Sequence, residues 1–273
     1  MPIDRRSVVV DGRRVSYLTA GGSAAARAIL LIHGSAVSAG YWINQLCSLG
    51  DAFQVAAIDL PGHGKSDPIP QASVEAYAET VGKFLEALGM DPVLVVGHSL
   101  GGAAAITLAA EHPELVERLV LVDAMSYPFR LDFRSRLPFL PFVGGLLFKQ
   151  LYGRGMFRRH FRDNVFSPGF TLPLERIDRY YDQFNTPAAR ESAHAVMQSI
   201  RDTRPIVARI TRITAPTLVV WGRSDRIFPA SFGQRLAREI AGARFDVLDA
   251  GHSPNEERPE DFVRSVSRFL PKG

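Results

Sequence analysis

A serine between two glycines is the feature of this chain that most directly suggests chemistry. Ser99 is the centre of the motif Gly-His-Ser-Leu-Gly at 97–101, which follows an apolar run at 93–96 and precedes an alanine-rich stretch. A serine hydroxyl is a weak nucleophile, so covalent catalysis needs a tight turn that points its oxygen into a pocket. Glycine at both ends of the motif avoids the Cβ collisions of such a turn. The strand, turn and helix pattern predicts a nucleophile elbow at Ser99.

An acid and a histidine follow later in the chain, each just after a predicted strand. The apolar run at 216–222 predicts a buried strand that leads into Asp225, and a shorter run at 243–248 leads into a loop that contains His252. Asp123 also ends a predicted strand, at 119–122. Because the carboxyl ends of parallel strands share one edge of an α/β sheet, these side chains can converge on Ser99.

Five motifs in a fixed order extend the pattern over almost the whole chain. They are His-Gly-Ser-Ala at 33–36 after a predicted strand at 28–32, Asp-Leu-Pro-Gly-His-Gly-Lys-Ser at 59–66 after a strand at 55–58, the elbow, Trp-Gly-Arg-Ser-Asp at 221–225 and Gly-His-Ser-Pro at 251–254. The arrangement resembles the α/β-hydrolase superfamily. The resemblance implies an α/β fold with a mostly parallel eight-stranded sheet flanked by helices. It also implies a core domain of residues 1–124 and 214–273, with a helical cap at 125–213 inserted after the sixth strand.

The resemblance implies a catalytic role for each member of a Ser-Asp-His triad. Ser99 is the expected nucleophile, and His252 is the expected general base and acid, a task suited to a side chain that titrates near neutrality. Asp225 is expected to orient the imidazole and stabilise its charged form. Asp123 is the alternative acid, and Asp225 is preferred because it lies in the loop where the superfamily usually carries this residue.

The developing oxyanion requires hydrogen-bond donors, which the superfamily takes from two backbone N–H groups. Here these are expected to be Leu100 and Ser35, with Ala36 one residue away from the second position. The sequence has no H-E-x-x-H motif and no paired Cys/His spacing, so neither a metal nor another cofactor is expected. The other histidines are expected to be structural or to lack a partner pattern: His33 and His63 in turn hydrogen bonds, His98 beside the nucleophile, His112 at a helix end, and His160 and His194 without an assigned role.

The predicted cap combines positive charge with apolar side chains. Its clustered cations, opposed nearby only by Asp132 and Asp163, are Arg130, Arg134, Arg136, Lys149, Arg154, Arg158, Arg159 and Arg162. Such arginines usually occupy solvated helix faces, although an anionic substrate, a membrane surface or an acidic carrier would also use them. The interleaved apolar residues are Leu146, Leu147, Phe148, Leu151, Tyr152, Met156, Phe157 and Phe161. They predict a face that roofs the pocket or contacts lipid, and an apolar roof favours acyl or aromatic substrates.

Length and composition agree with one large α/β domain. The 273 residues suffice for a full core, and the single cysteine, Cys47, excludes an internal disulfide and is expected to be a small core residue. The N-terminus lacks the continuous apolar segment of a secretory signal, and no stretch approaches the roughly 20 apolar residues that span a bilayer, so a cytoplasmic protein without stable membrane insertion is expected. No nucleic-acid-binding motif accompanies the basic residues.

These features predict a serine hydrolase that cleaves carboxylic esters, including lactones or thioesters, through an acyl-enzyme. The substrate is expected to be a small acyl or aromatic ester. A serine nucleophile argues against the haloalkane dehalogenase and epoxide hydrolase branches, in which a carboxylate attacks. Two alternatives remain open: a carbon–carbon hydrolase of an aromatic ring-cleavage pathway, which uses the same triad, and a ligand-binding relative with slow or absent turnover.

Overall fold

Eight strands form one sheet in this computed structural model, which describes residues 2–21, 27–90, 92–128 and 152–270. The strands are β1 (Asp4–Val10), β2 (Arg13–Ala20), β3 (Ala28–Ile32), β4 (Gln54–Ile58), β5 (Val93–His98), β6 (Val116–Val122), β7 (Thr217–Gly222) and β8 (Arg244–Leu248). Their spatial order is β1-β2-β4-β3-β5-β6-β7-β8. The β1–β2 and β2–β4 pairs are antiparallel, and the other pairs are parallel. The expected eight-stranded, mostly parallel α/β-hydrolase sheet is confirmed.

The central strands are apolar along their whole length because both faces of the sheet are covered. Every residue of β5 and of β7 is buried. Parallel strands with helices on both faces have this continuous pattern rather than an alternating one. The predicted strand at 28–32 coincides with β3, and the runs at 93–96 and 216–222 fall within two residues of the observed ends of β5 and β7.

Helices pack on both faces of the sheet and cover its apolar surface. The described helices are α1 (Ile43–Leu49), α2 (Val74–Leu88), α3 (Leu100–Glu111), α4 (Arg154–His160), α5 (Leu174–Phe184), α6 (Pro187–Ser199), α7 (Arg204–Ile210), α8 (Ala230–Glu239), α9 (Pro254–Glu257) and α10 (Pro259–Phe269). Those that contact the sheet strands are α1, α2, α3, α8 and α10. The predicted apolar face of α2 is buried from Val74 to Leu85. Ser73 caps the first turn of α2 by accepting the Ala76 N–H, which satisfies one unpaired donor of the helix start.

The helices α4 to α7 lie between β6 and β7 in the sequence, where the resemblance locates a cap. We refer to residues 152–213 as the insert. A π-helical turn, Phe161–Val165, continues α4. The remainder of the predicted cap, at 129–151, lies outside the described residues, and so do Arg130, Arg134, Arg136, Lys149, Leu146, Leu147, Phe148 and Leu151. No described helix has the length and apolar character needed to cross a bilayer.

Two expectations about individual side chains are wrong. Cys47 is exposed rather than part of the core, because it lies on the outer face of α1 between buried residues of the same helix. The second is that only Asp132 and Asp163 oppose the basic cluster: two arginines of α4 also form ion pairs with aspartates that are distant in sequence. Arg158 forms a bidentate pair with Asp178, and Arg154 contacts Asp182 at 2.6 Å. Both aspartates belong to α5, which packs beside α4 and neutralises part of the predicted basic cluster.

Candidate active site

Ser99 occupies the sharp turn between β5 and α3. Its backbone has φ +52°, a conformation that is strained for a residue with a Cβ and that is typical of functional sites. The flanking glycines are required by space: a Cβ on Gly97 would lie 2.4 Å from the Gly101 carbonyl oxygen, and one on Gly101 would lie 2.4 Å from the Ile32 carbonyl oxygen. The turn is therefore built as the predicted elbow, with α3 packed tightly against β3 and β5.

His252 joins Ser99 to Asp225 in a continuous hydrogen-bond relay. The His252 Nε2 lies 3.0 Å from the Ser99 Oγ, and its Nδ1 lies 2.8 Å from the Asp225 Oδ2. Because a carboxylate can only accept, the Nδ1 carries the proton and Nε2 is free to accept the proton of Ser99. The other Asp225 oxygen accepts the N–H groups of Ile227 at 2.7 Å and Phe228 at 2.9 Å. Burial opposes the charge of Asp225, but His252 and these hydrogen bonds outweigh it and hold the pKa of this carboxyl below its ordinary value.

The sheet order brings these distant residues together. Ser99 follows β5, Asp225 follows β7 and His252 follows β8, and all these strands end at the same edge. The loops after β7 and β8 are joined by the Ser224 N–H, which donates to the Ala250 carbonyl at 2.9 Å. Gly222 is needed at this contact, since a Cβ there would lie 1.7 Å from the Gly251 carbonyl oxygen.

The loop that carries His252 is also held by the insert. The His252 N–H donates to the Val165 carbonyl at 2.7 Å, and the Glu257 carboxylate accepts the N–H groups of Gly251 at 2.8 Å and Ser167 at 3.0 Å. Burial raises the pKa of Glu257. Sequence reasoning missed Glu257, because acidic residues in the first turn of a helix normally indicate exposed positions that favour the helix dipole.

Its neighbour Glu256 connects the same loop to α5. Its side chain is fully buried, and it contacts the Arg176 guanidinium at 2.8 Å and the Tyr180 hydroxyl. No signal in the sequence distinguishes this buried ion pair from an ordinary surface charge.

The loop at 33–36 lies directly beside the nucleophile. A Cβ on Gly34 would lie 2.8 Å from the His98 Nδ1 and 3.1 Å from the Ser99 Cβ, so this backbone can approach only because residue 34 is glycine. Leu100 is the first residue of α3, where backbone N–H groups have no partner within the helix. Ala36 has φ +61°, a second strained residue near the serine. Leu100 and Ser35 remain the predicted oxyanion donors.

The neighbouring histidines are neutral structural groups. The His33 Nδ1–H donates to the Gly34 carbonyl at 2.7 Å, and its Nε2 accepts the Leu60 N–H at 3.0 Å. Burial, reinforced by the nearby His63, lowers the pKa of His33 to about 3. Burial likewise lowers the pKa of His98 to about 3, and its Nε2–H donates to the His252 carbonyl at 2.7 Å. The predicted structural roles of these histidines are confirmed.

Asp123 lies beside the relay but is not the acid bonded to the imidazole. Its Oδ1 accepts the Gly222 N–H at 2.9 Å, whereas the His252 Nδ1 bonds to Asp225. Asp123, Asp225 and His252 each place one ligand-type atom within 4.8 Å of the others, and among the described residues no other cluster has such a spacing.

Comparison with known proteins supports this architecture. A family model described as alpha/beta hydrolase fold matches residues 27–259. The 2-hydroxy-6-oxo-6-phenylhexa-2,4-dienoate hydrolase of Burkholderia cepacia is 28% identical over 261 residues, which are 90% of this chain and 88% of that protein. A solved structure described as a membrane phospholipase A, a novel bacterial virulence factor, has a TM-score of 0.83 at 29% identity, covering 98% of this chain and 86% of that one.

A second solved structure, the enol-lactonase from Burkholderia xenovorans LB400, has a TM-score of 0.81 at 25% identity and covers 98% of this chain and 100% of that one. The relatives thus include proteins named for different hydrolytic reactions. The match to the family model extends over most of the chain and includes all five motifs. This chain therefore belongs to the α/β-hydrolase family.

Proposed function

We propose that this chain is a serine hydrolase that cleaves carboxylic esters through an acyl-enzyme on Ser99. The observation that carries the proposal is the unbroken relay from the Ser99 hydroxyl through His252 to Asp225, with contacts of 3.0 and 2.8 Å. These distances lie within hydrogen-bond reach, which a nucleophile and its base require. Ser99 is 7% exposed, so the residue is largely shielded from solvent.

The first half of the reaction transfers the acyl group to the enzyme. The Ser99 Oγ attacks the ester carbonyl carbon while His252 Nε2 takes the hydroxyl proton. The carbonyl electrons move to its oxygen, for which the N–H groups of Leu100 and Ser35 are the proposed donors. When the electrons return, the carbon–oxygen bond to the alcohol breaks, and His252 gives its proton to the departing oxygen.

The second half repeats these proton transfers with water. His252 takes a proton from water, whose oxygen attacks the acyl carbon. The bond between this carbon and the Ser99 oxygen then breaks, and His252 returns its proton to the serine. Asp225 keeps the imidazole in the tautomer that both halves require, since its carboxylate accepts the Nδ1–H throughout.

The proposed substrate class is an acyl or aromatic ester. The segment of the insert that contacts the His252 backbone is flanked by the buried rings Phe161 and Phe166, which pack against each other. The Phe228 ring lies 5.3 Å from the His252 ring on the side of the acid loop. Aromatic surroundings of this kind favour apolar groups next to the reacting carbonyl.

The test is the hydrolysis of a p-nitrophenyl ester series by wild-type protein, Ser99→Ala and the control Ser199→Ala. Ser199 is a half-buried serine of the insert whose hydroxyl donates to a local carbonyl. We expect Ser99→Ala to lower kcat by about 10⁴-fold or more, since alanine has no hydroxyl to form the acyl-enzyme, and Ser199→Ala to leave it unchanged. Equal turnover by Ser99→Ala and wild type would overturn the proposal.

Carbon–carbon hydrolysis is the second candidate, because a relative aligned over 90% of this chain is named for it. The compound in that relative's name is therefore assayed beside the esters. A kcat/KM for this compound above that of every ester would replace the ester proposal with the carbon–carbon one. Binding of both substrate classes without turnover would instead assign a ligand-binding role.

A further inference from the structure

The relay adjoins a second buried carboxyl group that the proposed mechanism does not use. Asp123 directly follows β6, the strand between those that lead to Ser99 and to Asp225. Its side chain is inaccessible to solvent, and its Oδ1 accepts the Gly222 N–H at 2.9 Å. No N–H or O–H group of another described residue is placed to donate to its Oδ2. The Asp123 and Asp225 carboxyl groups each place an oxygen within 4.8 Å of the other.

Two buried carboxylates this close together are not both ionised, because each charge raises the energy of the other in a region without water. One proton must therefore lie between Asp123 and Asp225. An oxygen buried without a donor is costly as a carboxylate but is satisfied when it carries a hydrogen and donates it. The Asp123 Oδ2 is in this situation.

The hydrogen bonds decide which carboxyl holds the proton. Asp225 accepts three hydrogen bonds, from Ile227 N–H, Phe228 N–H and the His252 Nδ1–H, and all of them favour its ionised form. From the part of the chain that the structure describes, the Asp123 side chain accepts only the Gly222 N–H. The proton therefore belongs on Asp123, and the Asp225 carboxylate receives a fourth donor.

We propose that Asp123 is a positioning residue, a permanently neutral carboxylic acid that donates its O–H to the Asp225 carboxylate and holds it in line with His252. The inference rests on the proposed function only for its effect on turnover. The bond that it assigns is a property of the folded site.

Electrostatics and backbone geometry both support the assignment. Burial, followed by the charge of Asp225, raises the pKa of Asp123 well above its ordinary value, and the more distant Glu257 acts in the same direction. Asp123 also has φ +42°, a strained conformation for a residue with a Cβ. Strain of this kind persists where the surrounding structure imposes it, and here it places the carboxyl between the ends of β6 and β7.

Two substitutions separate a neutral donor from a charged acid. In Asp123→Asn, the amide oxygen can accept the Gly222 N–H while the NH₂ group donates to Asp225, so every hydrogen bond is kept without a titratable proton. Asp123→Gly removes the donor and tolerates the positive φ. We expect kcat of Asp123→Asn to stay within about threefold of wild type. We expect kcat of Asp123→Gly to fall roughly 10- to 100-fold with KM unchanged, as the loss of one charge-assisted hydrogen bond implies.

The proton itself is observed by ¹³C NMR of protein labelled at the aspartate carboxyl carbon. The resonance that disappears in Asp123→Asn should have the shift of a protonated carboxyl at neutral pH and should not move on mild acidification. A carboxylate shift for this resonance would overturn the inference, and so would a collapse of kcat in a folded Asp123→Asn.

The two proposals fail in different ways. This spectrum is obtained whether or not the protein hydrolyses esters. Absence of ester turnover together with a protonated Asp123 would refute only the proposed function. Serine-dependent turnover together with an ionised Asp123 would refute only the present inference.

Discussion

Asp225→Asn tests the hydrogen-bond relay at the Asp225 carboxyl group, where the neighbouring backbone donors determine how the replacement amide is oriented. One Asp225 oxygen faces two backbone donors, the N–H groups of Ile227 and Phe228, at 2.7 and 2.9 Å. In the variant, the amide oxygen must take this position, because an NH₂ group there would oppose two N–H groups. The NH₂ group is then directed at the His252 Nδ1, which must become an acceptor. The ring proton moves to Nε2, and this nitrogen can no longer accept the proton of Ser99.

The expected fall in kcat follows from the loss of the correct His252 tautomer in a variant that keeps its fold. We expect kcat to fall by about 10⁴-fold, which corresponds to roughly 5 kcal/mol of transition-state stabilisation. The remaining activity would come from oxyanion stabilisation and substrate binding. Thermal unfolding should stay close to wild type, because the backbone hydrogen bonds to residue 225 are retained.

The assay is kcat for a p-nitrophenyl ester, measured with the thermal unfolding curve of the same sample. The matched control is Asp249→Asn in the neighbouring loop, where an exposed aspartate contacts Arg258 at 3.4 Å, and it should keep full activity. If a folded Asp225→Asn kept more than about a tenth of wild-type kcat, the tautomer argument would be refuted.

Two further predictions concern the elbow glycine Gly97 and the buried histidines near Ser99. Gly97→Ala should lower stability by about 1–3 kcal/mol and reduce kcat, because its Cβ would lie 2.4 Å from the Gly101 carbonyl oxygen. The control Gly155→Ala, whose added carbon has no neighbouring atom within 4 Å, should change neither stability nor kcat in the same unfolding and kinetic assays. His33 and His98 should each lower stability on acidification, because their folded-state pKa of about 3 lies below the 6.5 of an unfolded imidazole, so the unfolded chain binds more protons at these two residues below that value. The expected loss from pH 7 to pH 5 is about 2 kcal/mol for each of these two histidines, whereas a protonated Asp123 acts in the opposite direction, because its carboxyl ionises on unfolding. The loss is therefore measured in Asp123→Asn, and urea unfolding curves of this variant that coincide at pH 7 and pH 5 would contradict it.

Several parts of the fold and site could be predicted because they depend on neighbours in sequence. The strand at 28–32 and the apolar face of α2 follow from hydrophobic periodicity, which the structure reproduces. The elbow follows from glycines at 97 and 101, which a sharp turn needs for steric reasons. The exposure of Cys47 could not be predicted this way, since short apolar helices give little indication of which face is covered.

Other features depend on which elements become neighbours in space. Asp225 and Asp123 both follow strands that end at the same edge, so before the structure only the resemblance to the superfamily favoured Asp225. Their different hydrogen bonds depend on the loop at 225–228, which turns its N–H groups toward Asp225. The pairing of Arg158 with Asp178 likewise depends on how α4 and α5 pack.

The sequence by itself indicated the elbow, because glycine sterics and apolar periodicity act over a few residues. The order of its five motifs indicated the fold class and the candidate triad through the resemblance to the α/β-hydrolase superfamily. Only the tertiary structure decided that Ser99 and His252, 153 residues apart, lie within hydrogen-bond distance. It also decided that the Glu257 carboxylate accepts the Gly251 N–H in the loop that carries His252, and that the buried Asp123 carboxyl lies beside that of Asp225. These contacts depend on strand order and on burial, which change the chemistry of a carboxyl group without changing its residue type.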